Sequence, residues 1–475
     1  MSPKKHALSI FSLTMITIGS VDSIRNLPTT ALFGSQLIAF FILGAIFFLI
    51  PTALVSAELA SSWPKQGGVY IWVKEAFGKQ LGFLAIWLQW ISNVIWYPTL
   101  LSFVAGTIGY LINPSLASNP YFLCLVIVSA FWGATLVNLR GMRSSALVSN
   151  ICAISGLLLP MALIIALGAA WIIGGNPVQI DFDIHSMLPH SDDKSKWVAL
   201  TGTMLSFCGI EIATVQANNV ENPQYAFPRA LVYSVVVILI TLILGSLAIA
   251  VVLPQHEINL VAGIMQAFHA ICARYHLLWL MPIVAIMLVL GGTGSVSNWI
   301  IAPTKGLLVA AQDGNLPAVF QQVNQQDAPH VMLVGQAIIV TVLSAMFLLM
   351  PSVNGSYWIL TALAAQLYML MYLLMFIAAI KLRLQAPNHH RPFRIPGGLP
   401  GMIIVAGTGM VGVITTLVVS FMPPDGIDVG SMARYETTLI LGLLVMCAPP
   451  FITGWWQTRR DRRLLEPSNL TGMAE

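Results

Sequence analysis

Charged side chains are scarce in this chain. Lysine, arginine, aspartate and glutamate supply 8% of its 475 residues, against roughly 25% in an ordinary soluble domain. So few charges cannot cover the surface of a soluble fold this long. Cysteine is also rare. Cys124, Cys152, Cys208, Cys272 and Cys447 are scattered, four of them in or beside apolar segments. No CxxC or His/Cys spacing occurs, so neither a metal, a cofactor nor a disulfide framework is expected. No histidine falls inside a long apolar run. No separate signal peptide with a small-residue cleavage site is recognisable, and the first apolar segment is expected to act as the insertion signal. Basic residues interleaved with aromatics are missing, so no nucleic-acid partner is expected. The net charge of +4 arises from loops and the tail "QTRRDRRLL", which suits anionic lipid head groups.

What is abundant is apolar sequence, 57% of the chain. Runs of about 20 apolar residues recur from end to end, as membrane-spanning helices require. The sequence predicts an all-α polytopic membrane protein with twelve spans: 7–31, 36–61, 82–112, 120–138, 145–174, 195–218, 228–253, 278–310, 331–350, 356–383, 399–422 and 435–456. Between spans 7 and 8, "INLVAGIMQAFHAICARY" is amphipathic and too polar to cross, and is expected to lie as a surface helix. With the N-terminus in the cytoplasm, 17 of the 22 lysines and arginines fall on the inner side and 4 on the outer, leaving only Arg25 inside a span. The positive-inside rule therefore places both termini in the cytoplasm.

Span 1 carries "TIGSVDSIRNLPTTALFG" (Thr17 to Gly34), with two opposite charges and a proline amid apolar sequence. An opened helix survives in a bilayer only where it faces protein or a wet cavity. Gly19-Ser20 suits such an opening, and Pro28 adds a second weak point. Span 6 repeats the pattern in "TGTMLSFCGIEIATVQANNVENP", with Gly209 and Glu211 at its middle. Corresponding interruptions in two five-span halves point to an inverted-repeat transporter with its site at the breaks. The halves are 7–174 and 195–383, followed by two helices (399–456) and a short cytoplasmic tail (457–475). Exposed N–H groups of a broken helix favour a carboxylate, and exposed carbonyls accept from an ammonium group. The same glycines also suit close helix packing.

Glu211 is the acid at the middle of span 6, a costly place for charge, which makes it a candidate for gating or proton coupling. A hydrogen-bonded structural carboxyl is the plainer alternative. Asp22 and Arg25, three apart, share a face of an intact helix and could pair. The sharper expectation is that Arg25 meets a substrate carboxylate through its planar fork. Glu58, near the inner end of span 2, reads as an interfacial or packing acid. Trp299 follows the small-residue run "GGTGSVSN" in span 8, which permits close approach or a cavity. Tyr368 and Tyr372 share a face of span 10. Ordinary packing also accounts for these aromatics.

Several stretches carry a family resemblance. "PTALVSAELASSWPKQGGVYIWVKEAFG" (51–78) resembles the span 2–3 signature of the amino acid–polyamine–organocation superfamily. "LSFCGIE", "VENPQYAFPRA", "HEINLVAGIMQAF" and "SNWIIAPTKGLLVAAQDGNLPAVF" are similar to the bacterial glutamate/γ-aminobutyrate antiporters, and the likeness covers essentially all twelve spans. The resemblance implies a five-plus-five inverted repeat with broken helices 1 and 6, and exchange of amino acids by alternating access. It implies substrate contacts at Gly19, Ser20, Val21, Cys208 and Gly209. By the same resemblance Glu211 is an acid near an inner gate, Trp299 a gating tryptophan, and Tyr368 and Tyr372 a pair lining the path. Two positions depart from the antiporter pattern. Aligned on Pro28, Arg25 replaces an aromatic residue, and aligned on Trp299, Ser295 replaces an acid. Both changes make the path more positive and should alter substrate choice. The tail after Trp456 is expected to be too short to act as a segment that plugs the inner mouth.

The sequence thus predicts an antiporter of the bacterial inner membrane for amino acids bearing a carboxylate, with small-molecule substrates, the lipid bilayer and a possible homo-oligomer as its partners. A proton-coupled importer using Glu211 or Asp22 is the alternative within transport, and a non-transporting amino-acid sensor the alternative outside it. No nucleophile-and-base pair lies within the spans, so an enzyme is not expected.

Overall fold

The computed structural model describes residues 9–65, 67–140, 154–189, 196–211 and 223–465. Among the described residues all regular structure is helical. Ten helices are long and apolar enough to cross a membrane, and they match spans 2–5 and 7–12 one for one. Neither half of span 1 nor the described part of span 6 reaches that length. The start of span 5, the end of span 6 and the tail from 466 lie outside the described residues.

Span 3 (Lys79–Ile112) is the centre of the packing, with spans 8 (Met281–Ala310) and 10 (Val353–Gln385) against it. Lipid tails are as apolar as leucine, so packing rather than hydrophobicity holds such helices together. Small residues supply it. Gly291, in the small-residue run of span 8, meets Gly156 of span 5 backbone to backbone, so that neither position has room for a β-carbon. In span 2 (Gly34–Ser62), Pro51 has no N–H for the carbonyl of Phe47. The helix runs as a π turn over Ala45–Leu49, and Gly412 of span 11 packs on the freed carbonyl. Span 12 (Met432–Trp455), by contrast, turns most of its surface outward.

Span 1 is two helices. Ile10–Val21 ends at Asp22 and Ser23, both extended, and after a turn at Ile24–Asn26 the chain resumes as Leu27–Ala31. The break therefore falls just after the expected Gly19-Ser20, both of which are still helical. Gly19 needs no special backbone angle, and the opening lies where Asp22, Ser23 and the donorless Pro28 disfavour continuation. All five residues of the second piece are buried. Three glycines press on it: Gly202 of span 6 against Thr29, Gly245 of span 7 against Leu27, and Gly263 against Pro28. Thr30 Oγ1 is 2.6 Å from Ser246 Oγ.

Gly263 opens the helix expected at the surface. Gly263–Arg274 is a helix, but its apolar side, including Ile264, Met265, Phe268 and Ile271, is buried. It covers the second piece of span 1, because its apolar face finds protein there.

Glu58, expected as an interfacial or packing acid, packs inside the protein. It is 1% exposed and is chelated by Arg383, Nε to Oε1 at 2.7 Å and Nη2 to Oε2 at 2.6 Å. Arg391 Nε lies 3.3 Å from Oε1, and the Ile395 N–H donates to Oε2 at 2.8 Å. The segment after span 10 is thereby fixed to the end of span 2, with His389 stacked on Trp63 at 4.5 Å.

Candidate functional site

Span 6 breaks where the sequence places a glycine. The helix Ala199–Ser206 tightens over Phe207 and Cys208, whose N–H groups donate to Met204 and Leu205. Gly209 then adopts φ +107, a region only glycine enters without strain, and helix resumes at Ile210 and Glu211. The two breaks meet. A β-carbon on Gly209 would stand 2.7 Å from the carbonyl oxygen of Ser20 and 3.0 Å from the Trp299 ring.

Beside this meeting point lies a cavity of about 70 Å³. Its walls include Gly19, Ser20, Val21, Asp22 and Arg25 from span 1, Cys208 from span 6, Ser295 and Trp299 from span 8, and Tyr368 from span 10. Gly19 is exposed, with open space where a side chain would stand. Three of the expected site residues are not in the wall: Gly209, Tyr372 and Glu211. They lie directly behind it. The Gly209 N–H donates to Tyr372 Oη at 3.1 Å. The Tyr372 hydroxyl in turn donates to Glu211 Oε2. Glu211 Oε1 accepts from Tyr368 Oη and from Gln89 Nε2, both at 2.8 Å. The break in span 6 and the acid below it are thus one hydrogen-bonded unit with span 10.

Asp22 and Arg25 do not pair, because the chain between them is not helical and sends the side chains apart. Asp22 Oδ2 accepts from Thr241 of span 7 at 2.8 Å, and its Oδ1 has no partner among the described residues. Arg25 reaches spans 3 and 10: Nη1 donates to Thr99 Oγ1 at 2.9 Å and to Tyr357 Oη at 3.2 Å. Its guanidinium lies over the Trp96 ring, 4.8 Å from the centroid, a favourable cation–π placement. Arg25 is 2% exposed. An arginine at the bilayer centre costs about 2.5–3.5 kcal/mol on insertion scales, and among the described residues no carboxylate pairs with Arg25 to offset that cost.

Trp299 closes one side of the cavity, 5.7 Å from Trp96. Its carbonyl accepts from Tyr97 Oη at 2.8 Å, which fixes this turn of span 8 against span 3. Ser295, one turn earlier, is exposed to the cavity.

Sequence reasoning overlooked Gln89, Trp96, Thr99, Thr241 and Tyr357. A signal for most of them was present. Gln89, Ser92, Asn93, Trp96 and Thr99 recur at helical spacing along one face of span 3, and a polar stripe at mid-bilayer faces a cavity or a partner. Tyr357 lies 11 residues before Tyr368, three turns up the same face of span 10. Nothing local marked Thr241.

A second network lies past the end of span 8. Asp313 accepts from Tyr70 Oη at 2.5 Å and is paired with Lys74, both on the helix Val69–Phe77. Those donors hold the Asp313 carboxyl below its usual value of 3.8, and burial together with the Asp313 contact pushes the Tyr70 hydroxyl up.

The sequence matches the amino acid permease family over residues 8–445. It is 43% identical over 452 residues to an uncharacterised transporter of Legionella pneumophila, covering 95% of this chain and 97% of that one. It is 30% identical over 472 residues to the glutamate/gamma-aminobutyrate antiporter of Lactococcus lactis subsp. lactis, covering 98% and 93%. A probable agmatine/putrescine antiporter of the same bacterium is 23% identical over 429 residues, covering 89% and 90%. With its two broken helices meeting beside a lined cavity, and a family match along nearly its whole length, this chain belongs to the amino acid permeases of the amino acid–polyamine–organocation superfamily.

Proposed function

We propose that the protein exchanges amino acids bearing a carboxylate across the bacterial inner membrane by alternating access, with both termini in the cytoplasm. One observation carries this reading: the breaks of spans 1 and 6 meet beside the cavity, the Ser20 carbonyl against Gly209. The helix end at Val21 leaves carbonyls for an ammonium group to approach. The helix starts after each break leave N–H groups for a carboxylate. Substrate would rest between them against Gly19, Ser20, Val21 and Cys208, with Asp22 close to the amine. Trp299 and the unit of Glu211, Tyr368 and Tyr372 would move between states as the gate. The glutamate/gamma-aminobutyrate antiporter supports this reading as a relative along nearly the full chain.

A proton-coupled importer is favoured by one feature, the buried Asp22 oxygen without a partner among the described residues, which would be placed to carry a proton. Proteoliposomes separate the two readings. Exchange requires amino acid inside the vesicle and proceeds without a proton gradient. Import into empty vesicles driven by a gradient would replace antiport with symport, and binding with no counterflow would leave only a sensor.

A further inference from the structure

Arg25 and Arg383 are both buried deep against the helices, and they use their guanidinium groups differently. Arg383 turns its Nε–Nη2 edge to Glu58 and chelates the carboxylate with two bonds. Arg25 spends only Nη1, on the hydroxyls of Thr99 and Tyr357. Its Nε is buried and has no hydrogen-bond partner among the described residues. No acid pairs with it among the described residues, and Asp22, the nearest acid in sequence, is bonded to Thr241. Trp96 supports the face of the guanidinium and also lines the cavity, as Arg25 itself does.

We propose that Arg25, oriented by Thr99, Tyr357 and Trp96, is a carboxylate subsite that binds the side-chain carboxylate of a dicarboxylic amino acid. This rests on the exchange reading above and specifies its substrate class. The α-carboxylate and ammonium are served by backbone groups where span 1 meets span 6. The Arg25 side chain leaves that place for spans 3 and 10, so its charge meets a different part of the substrate. The two hydroxyls fix Nη1, which holds the planar fork still and keeps the Nε edge for a bidentate anion. Ser295 across the cavity brings no negative charge to neutralise Arg25. A polyamine would meet like charge here, so the subsite disfavours putrescine, for which some relatives are named.

The test is counterflow in liposomes holding the purified full-length protein, loaded with labelled L-glutamate and challenged from outside with L-glutamate, L-aspartate, L-glutamine or putrescine. Wild type should exchange the acidic amino acids at least about tenfold better than glutamine, with putrescine inert. Arg25→Gln should lower the glutamate-to-glutamine ratio by about tenfold or more. Should that variant not fold, Tyr357→Phe, which frees the guanidinium from one tether, should raise KM for glutamate more than for glutamine. Equal exchange of glutamate and glutamine by wild type would overturn the subsite while leaving amino-acid exchange intact, as would an unchanged ratio in a folded Arg25→Gln. Putrescine exchange would overturn the charge argument. No counterflow with any amino acid would remove the exchange reading and the subsite with it.

Discussion

The carbonyl of Ser20 and the α-carbon of Gly209 are so close that a β-carbon on Gly209 would stand 2.7 Å from the Ser20 oxygen. The same residue holds φ +107. Both the contact and the backbone angle demand glycine, and both sit at the meeting of the two breaks. Gly209→Ala is expected to abolish exchange, since the span 6 backbone must retreat or the Ser20 carbonyl must turn. Strain of about 1–3 kcal/mol is expected on stability, a loss that thermal unfolding of the purified protein would reveal. Exchange within twofold of wild type would show that the breaks need not meet.

Trp299→Ala should reduce exchange about tenfold or more while membrane expression stays normal. The ring covers Gly209 and stands beside Trp96, so its loss opens the cavity wall without touching the helices' own hydrogen bonds. Counterflow alongside quantified protein per vesicle checks this, and full activity would count against a gate at this ring.

Tyr372 joins the span 6 break to Glu211, accepting from the Gly209 N–H and donating to the carboxylate. Tyr372→Phe and Glu211→Gln should each slow exchange. Because they act in one bonded unit, the double variant should be no worse than the poorer single, a non-additive cycle. Additive losses would mean that the two act separately.

Glu58 neutralises Arg383 and stands beside Arg391. Glu58→Ala strands buried charge, and breaking such a pair costs about 3–5 kcal/mol. The thermal midpoint should fall sharply. The double variant Glu58→Leu with Arg383→Met should recover part of the loss, since it removes both charges together. A midpoint unchanged in Glu58→Ala would show that the cluster does not support the fold.

The Asp313 carboxyl is held below 3.8, first by its bond to Lys74 and then by that to Tyr70. A depressed carboxylate gives its stabilisation in full above the ordinary value and loses it only as pH falls through the lower, folded one. The link should therefore stay intact from about pH 7.5 to 5. Asp313→Asn should alter exchange equally across that range, and the ratio of variant to wild type, measured by counterflow, should be flat. A ratio that rises towards one on acidification would show the link opening in that window.

Several features of the fold were legible because they follow from solvation alone. Charge scarcity and apolar runs of span length show up as helices wherever the chain is described. The break in span 6 was readable because Gly209 is the one residue type that tolerates its backbone angle. Span 1 was readable only in part. Gly19 drew attention, yet the helix continues through it and opens at Asp22 and Ser23, ahead of the donorless Pro28. Residues 263–274 were recognisable as an amphipathic helix, but amphipathicity does not say whether the apolar face meets lipid or protein.

The sequence by itself determined that the chain is helical, lies in a membrane and carries interruptions in its first and sixth spans. Each of those depends on the local cost of placing a backbone or a charge in hydrocarbon. Only the tertiary structure decided who meets whom: that Arg25 turns from Asp22 to Thr99 and Tyr357, that Asp22 finds Thr241, and that Glu211 is bound to Gln89 and two tyrosines. Those partners lie tens to hundreds of residues away. Close packing of helices in three dimensions selects them, and no spacing along one helix records that choice.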